Sequence, residues 1–181
     1  TEAFHKGSTF FNAHRARQPA HDGEPLVMVE KGMDAIRCAA AGFAATVAVM
    51  GTALTEQHLL TAWRLDAVPV LCLDGDAAGE KAVMKSIQTA LPLVQPGRSI
   101  RVASLPAGLD PDEVIQKRGA ETFRKAVEGA TGLADTFWRV MTEGKSLASV
   151  EAQGALESEM LGWVASVPDR QLRQKYVQDI R

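Results

Sequence analysis

Four short apolar runs punctuate the first 105 residues: Leu26-Val27-Met28-Val29, Thr46 to Met50, Val68 to Leu73 and Ile100 to Leu105. Each is too short for a helix and reads as a buried strand. The stretches between them carry helical patterning. Met33 to Ala41 is a run of small residues stopped by Gly42. Thr55 offers an N-cap and Glu56 a first-turn acid for a helix through Leu65. After Asp74-Gly75-Asp76, an apolar stripe forms from Val83, Met84, Ile87, Ala90, Leu91 and Val94, with Glu80, Lys81, Lys85 and Gln88 facing away. Strand and helix alternating at this spacing predict an α/β fold. The expected architecture is a small, mainly parallel, four-stranded sheet flanked by helices and joined by right-handed crossovers.

From Asp110 onward the pattern is all helical. Asp110-Pro111-Asp112-Glu113 supplies a cap, a proline at the first helical position and acids in the first turn. Apolar faces follow at Phe123 and Val127, at Leu133, Phe137 and Met141, at Leu156, Met160, Trp163 and Val164, and at Leu172, Tyr176 and Ile180, with a polar break at Glu143-Gly144-Lys145. The expected organisation is a polar, irregular lead-in over 1–25, an α/β module over 26–144 and a helical tail over 145–181. The chain opens on Thr1 and closes inside a periodic pattern, so a piece of a longer protein is expected.

Composition narrows the function classes. A hydrophobic fraction of 46% and a charged fraction of 23% exclude global disorder. No apolar run approaches the roughly 18 residues of a membrane span, and no membrane partner is expected. Cys38 and Cys72 sit in apolar surroundings without zinc-ligand spacing, and read as packing residues. The net charge of −2 is not a basic signature, so nucleic-acid binding does not follow from composition.

The chemistry is sought where parallel sheets keep it, outside the carboxyl ends of the strands. The first run delivers Glu30, with Asp34 four residues on; the second delivers Gly51-Thr52; the third delivers Asp74 and Asp76; the fourth leads to Asp110, Asp112 and Glu113. Carboxylates crowded on one sheet edge repel one another without a cation. Hard oxygen ligands in an incomplete cage suit Mg²⁺ or Mn²⁺, which keep waters and bridge to phosphates. That combination points to phosphoryl or nucleotidyl transfer. Taken singly, each feature has a plainer explanation: Asp-Gly-Asp is a common turn, and helix capping alone accounts for Asp110, Asp112 and Glu113. Trp63, Trp138 and Trp163 read as core. Order and spacing together carry the signal.

Val29-Glu30-Lys31-Gly32-Met33-Asp34, Gly51-Thr52-Ala53-Leu54-Thr55 and Leu73-Asp74-Gly75-Asp76-Ala77-Ala78-Gly79 together resemble the TOPRIM module, shared by bacterial primases, type IA and type II topoisomerases, some nucleases and recombination proteins. Phe4-His5-Lys6-Gly7 and Leu105-Pro106-Ala107-Gly108-Leu109-Asp110-Pro111-Asp112-Glu113 narrow the likeness to bacterial replicative DNA primases. The resemblance implies catalytic roles for Glu30, Asp74 and Asp76, and a metal site drawn from Glu30, Asp34, Asp74, Asp76, Asp110 and Asp112. It implies nucleotide or template contacts at Lys6, Lys31, Gly51 and Thr52.

The resemblance further implies synthesis of short RNA primers on a single-stranded DNA template. The primer 3′-hydroxyl would attack the α-phosphate of a ribonucleoside triphosphate, in bacterial cytoplasm at the replication fork. Zinc would belong to an N-terminal domain, and helicase contact to a C-terminal domain, neither of which fits in 181 residues. These residues alone are therefore expected to bind single-stranded DNA poorly and to make little or no primer. One departure stands out: the family usually has Gly then Tyr after the glutamate, where this chain has Lys31 and Gly32. Lys31 would pair with Glu30 or replace a phosphate contact. Other TOPRIM nucleases, a topoisomerase fragment and a non-catalytic DNA-binding module remain alternatives; the only tyrosine, Tyr176, lies on a core stripe. Mutual repulsion among the acids predicts that Asp74→Asn raises the melting temperature of the metal-free chain.

Overall fold

The computed structural model describes residue 7, residues 9–51 and residues 53–180. Its elements run α1 (Ala13–His21), β1 (Val27–Val29), α2 (Gly32–Ala40), β2 (Thr46–Ala48), α3 (Glu56–Ala62), β3 (Val70–Cys72), α4 (Ala77–Ala90), β4 (Arg101–Ala103), α5 (Pro111–Arg118), α6 (Ala120–Glu128), β5 (Thr131–Gly132), α7 (Leu133–Thr142), α8 (Val150–Val164) and α9 (Arg170–Ile180). The sheet order is β2-β1-β3-β4-β5. The first four strands are parallel neighbours, and β5 pairs antiparallel with β4.

The α/β class and the four apolar strands agree with the sequence reading, and the sheet gains a fifth, two-residue strand. One difference has a simple cause. The lead-in contains α1, whose buried residues are only Ala16 and Ala20 and whose other positions include Pro19, so no apolar stripe marked it. Asn12 precedes α1 in the left-handed region (φ 66°), and its side-chain amide donates to the Thr46 carbonyl at 2.9 Å, fixing the helix start beside β2.

Strand alternation sorts the core into two layers. Met28, Val47, Leu71 and Val102 point to one face, against Leu59, Ile87, Leu133 and Phe137. Val27, Val29, Val70, Cys72 and Ala103 point to the other, against Ala35, Cys38, Val114, Phe123 and Val127. Helices α2, α5 and α6 therefore cover one face, and α3, α4 and α7 the other. Leu156, Met160, Val164, Tyr176 and Ile180 join the first of these clusters, so α8 and α9 pack into the same core. Among the described residues, no helix is long and apolar enough to cross a membrane.

Strand order reverses around β1: the chain moves outward to β2, then returns past β1 to β3. The crevice at such a reversal, outside the carboxyl ends of the strands, is where open α/β sheets place ligands. Here it lies between the ends of β1 and β3.

Candidate functional site

Two loops form the floor of this crevice. The residues after β3 are laced to those after β4: the Gly75 N–H donates to the Leu109 carbonyl at 3.0 Å, and the Gly108 N–H donates to the Gly75 carbonyl at 2.7 Å. Both loops approach too closely for side chains. A Cβ on Gly75 would stand 2.5 Å from the Pro106 carbonyl oxygen, and one on Gly79 would be closer still to the Asp74 carbonyl oxygen. The glycines of Asp-Gly-Asp-Ala-Ala-Gly thus draw α4, Asp74 and Asp110 to one point.

Asp34 reaches that point from the first turn of α2, where it is 1% exposed. Lys31, the residue preceding α2, extends its ammonium between the two loops. It donates to Asp74 Oδ2 at 2.8 Å and lies 3.5 Å from Asp110 Oδ2. The Asp74 hydrogen bond is the main reason that the Lys31 pKa rises above the ordinary lysine value. Burial, followed by the charge of Asp110, pushes the Asp34 carboxyl up to about 6, partly opposed by Lys31. Asp34 Oδ2 and Asp74 Oδ1 are buried with no hydrogen-bond partner.

The lysine therefore pairs with Asp74 and Asp110, which corrects the expected Glu30 partner. The same contact removes the ground for expecting Asp74→Asn to stabilise the chain, because Asp74 holds an ion pair that the amide would lose. Asp34 is the acid whose charge is poorly compensated.

Three of the acids also hold helices in place. Asp76 caps α4, its Oδ1 accepting from the Gly79 N–H at 2.7 Å. Asp110 caps α5 in a reciprocal arrangement with Glu113, accepting the Glu113 N–H at 2.8 Å. Asp112 pairs with Arg37 of α2 and accepts the Gln116 amide at 2.9 and 2.8 Å, which holds its carboxyl below the usual carboxylate range, the Gln116 bond contributing most. Asp112 thus ties α5 to α2 and stands apart from the Lys31 cluster.

Glu30 lines the neighbouring cleft of about 270 Å³, with Gly51, Ala53, Lys81 and Lys85. Sequence reasoning assigned both lysines to the outward face of α4; their i, i+4 spacing directly after the Asp-Gly-Asp turn is the signal that marks them as a pair. Arg139 of α7 lines a second cleft with Asp74 and Glu80. Lys6 and Thr52 lie outside the described residues. Tyr176 is buried in the core and its phenol is pushed up to about 12, which does not suit a nucleophile. Burial also pushes the Cys38 thiol up to about 12, so it stays protonated as a packing residue.

The crevice fits a magnesium-type cation better than a cage-bound one. Among the described residues, no three His, Cys, Asp or Glu side chains already form a ligating group. A Mg²⁺ site commonly uses one or two carboxylates and takes its remaining oxygens from water and phosphate. Two buried carboxylate oxygens without partners, beside an ammonium already drawn in, meet that description.

Residues 24–105 match the Toprim domain. The DNA primase of Rickettsia conorii is 36% identical over 176 residues, covering 97% of this chain, which spans 30% of that protein's length. A DNA primase domain from Pseudomonas aeruginosa superposes with a TM-score of 0.91 at 32% identity, over 99% of this chain and 56% of that one. A DnaG primase catalytic domain solved bound to single-stranded DNA gives a TM-score of 0.88 at 31% identity, over 99% of this chain and 58% of that one. The chain belongs to the bacterial DNA primase family and corresponds to the Toprim-bearing part of its catalytic core, a family that implies a divalent cation.

Proposed function

We propose that these residues form the Toprim part of an enzyme that synthesises short RNA primers on single-stranded DNA. The observation that carries this reading is the convergence of Asp34, Asp74 and Asp110 from three separate elements at the strand-order reversal, with buried unpartnered oxygens on two of them. Asp74, Asp34 and Asp110 are the residues that would hold Mg²⁺ or Mn²⁺. When bound, the cation supplies positive charge to a triphosphate and its leaving pyrophosphate.

The chain's own side chains do the positioning. The Asp76 cap fixes the start of α4, and with it the direction in which Lys81 and Lys85 project into the cleft beside Glu30. Those lysines are placed to neutralise phosphate oxygens before and after transfer. Glu30 sits next to them as a further ligand or as an acceptor for the proton of the attacking 3′-hydroxyl. Ribonucleoside triphosphates are the proposed substrates, with a single-stranded DNA template and the growing primer as partners. The DnaG neighbour bound to single-stranded DNA supports the template. A replicative helicase contact and a zinc site are proposed for other parts of the protein, which would act at the replication fork in the bacterial cytoplasm.

The test is primer synthesis by the full-length protein on a single-stranded template, with labelled ribonucleotides. Asp74→Asn is expected to lower the rate by about 100-fold or more, the scale of losing a group that stabilises transition-state charge, while template binding persists. Synthesis within threefold of wild type would contradict the assignment.

A further inference from the structure

A divalent cation on the acid cluster leaves the lysine already seated there unexplained. We propose that Lys31 is a resident counter-ion, competing with the divalent cation for Asp74 and Asp110, so that cation binding requires its ammonium to swing out. The proposal rests on that cation-site reading and concerns a residue that neither caps a helix with its side chain nor packs in the core.

Three observations support it. First, the ammonium is seated where a cation belongs, donating to Asp74 Oδ2 at 2.8 Å and facing Asp110 Oδ2 at 3.5 Å. Among the described residues, Lys31 is the basic side chain in ion-pair contact with either acid; Arg37, the next cation along α2, is held by Asp112. Second, one positive charge answers three carboxylates, and the oxygens it leaves without partners, Asp34 Oδ2 and Asp74 Oδ1, are buried. A dication satisfies that group and a single ammonium does not. Third, the lysine is built to leave. Its side chain is 46% exposed on a flexible stem, and it sits at the N-terminus of α2, where the helix dipole disfavours a cation. Only the acids hold it there.

The consequence is a metal-free site that is already partly neutralised, and a divalent affinity weaker than the acids alone would give. The test is Mn²⁺ titration of the 181-residue chain, reading free Mn²⁺ by electron paramagnetic resonance at moderate salt. Lys31→Gln is expected to bind Mn²⁺ at least about tenfold more tightly than wild type, and Lys31→Arg within about threefold of it, because the charge remains. Lys117→Gln makes the same charge change on α5 and is expected to alter affinity less than about twofold. Equal affinities for wild type and Lys31→Gln would overturn the competition while leaving the cation site in place. No Mn²⁺ binding by either protein at millimolar concentration would overturn both.

A second measurement needs no variant at the site. Amine acylation followed by peptide mass spectrometry is expected to show Lys31 labelling several-fold faster with Mn²⁺ than without, relative to Lys117. Labelling that is unchanged or slower with Mn²⁺ would mean that the ammonium stays on the acids, and would overturn the proposal.

Discussion

The acids around Lys31 and the acids in the first turn of α5 adjoin at Asp110, the cap of α5, and their charges are handled in opposite ways. Asp112 and Glu113 each have their own partners, Arg37 and Gln116 for one and Lys117 for the other, and both carboxyls are held below their ordinary range. Asp34, Asp74 and Asp110 share one ammonium and keep two buried oxygens without partners, and burial, followed by the charge of Asp110, pushes the Asp34 carboxyl up to about 6. Satisfied acids hold elements together. Under-compensated acids remain available to a ligand, and the difference lies in what surrounds them.

The largest expected effect comes from disturbing one group while leaving the other in place. Gly79→Ala drives a Cβ into the Asp74 carbonyl oxygen, so the α4 start must move. A loss of about 3 kcal/mol or more is expected, seen as a melting-temperature drop of about 6–12 °C. A drop of under about 2 °C would show that the loop yields easily.

Next comes the charge on Asp34. Its folded pKa is raised, so between the unfolded value near 4 and the folded value near 6 the folded state keeps a proton that the unfolded state has released. Stability should therefore fall as pH rises through that window and stay lower above it. The deficit is at most about 3 kcal/mol. Asp34→Asn is expected to raise metal-free stability at pH 7.5 by about 1–3 kcal/mol and to change it little at pH 4. Urea melts at the two pH values check this; a variant less stable at pH 7.5 would end the case for uncompensated charge.

Asp112 should behave in the opposite sense. Its folded pKa is lowered, so its contribution is present above the unfolded value near 4 and is lost as pH falls through the folded value. Asp112→Asn is expected to cost roughly 0.5–1 kcal/mol at pH 7.5 and nothing at pH 2.5, measured in the same melts. The smallest effect belongs to the exposed Lys117–Glu113 pair at i, i+4 spacing: Lys117→Ala should leave the same melts unchanged within their error.

The legible and illegible parts of this molecule divide along physical lines. The four parallel strands announced themselves because burial on both faces leaves no polar alternation to obscure them. Thr55 and Asp110 were legible as cap positions through the residues that follow them, and both accept the backbone N–H that their positions predict; the cap made by Asp76 was not read from the sequence. By contrast, α1 buries two alanines, and β5 is two residues held by strand pairing, so neither leaves a periodic trace. The site acids were readable from their order after the strand ends. Which acid would lack partners was not, because Asp34 and Asp112 both stand in the first turn of a helix and differ in what the fold brings opposite them. Lys31 was visible as a departure, but its partners depend on two loops laced together by the Gly75 and Gly108 backbone, a contact between distant segments. Lys81 and Lys85 were hidden because the apolar stripe of α4 defines its buried face and does not reveal that the adjacent face borders a cleft.

The proposed cation goes to the under-compensated acids and not to the paired ones. Diffraction at the manganese edge from crystals soaked in Mn²⁺ tests it directly. An anomalous peak is expected within about 2.5 Å of carboxylate oxygens of Asp34, Asp74 or Asp110, with the Lys31 ammonium displaced from Asp74. A peak on Asp112 or Glu113 instead, or none at the crevice with Lys31 still seated, would contradict it.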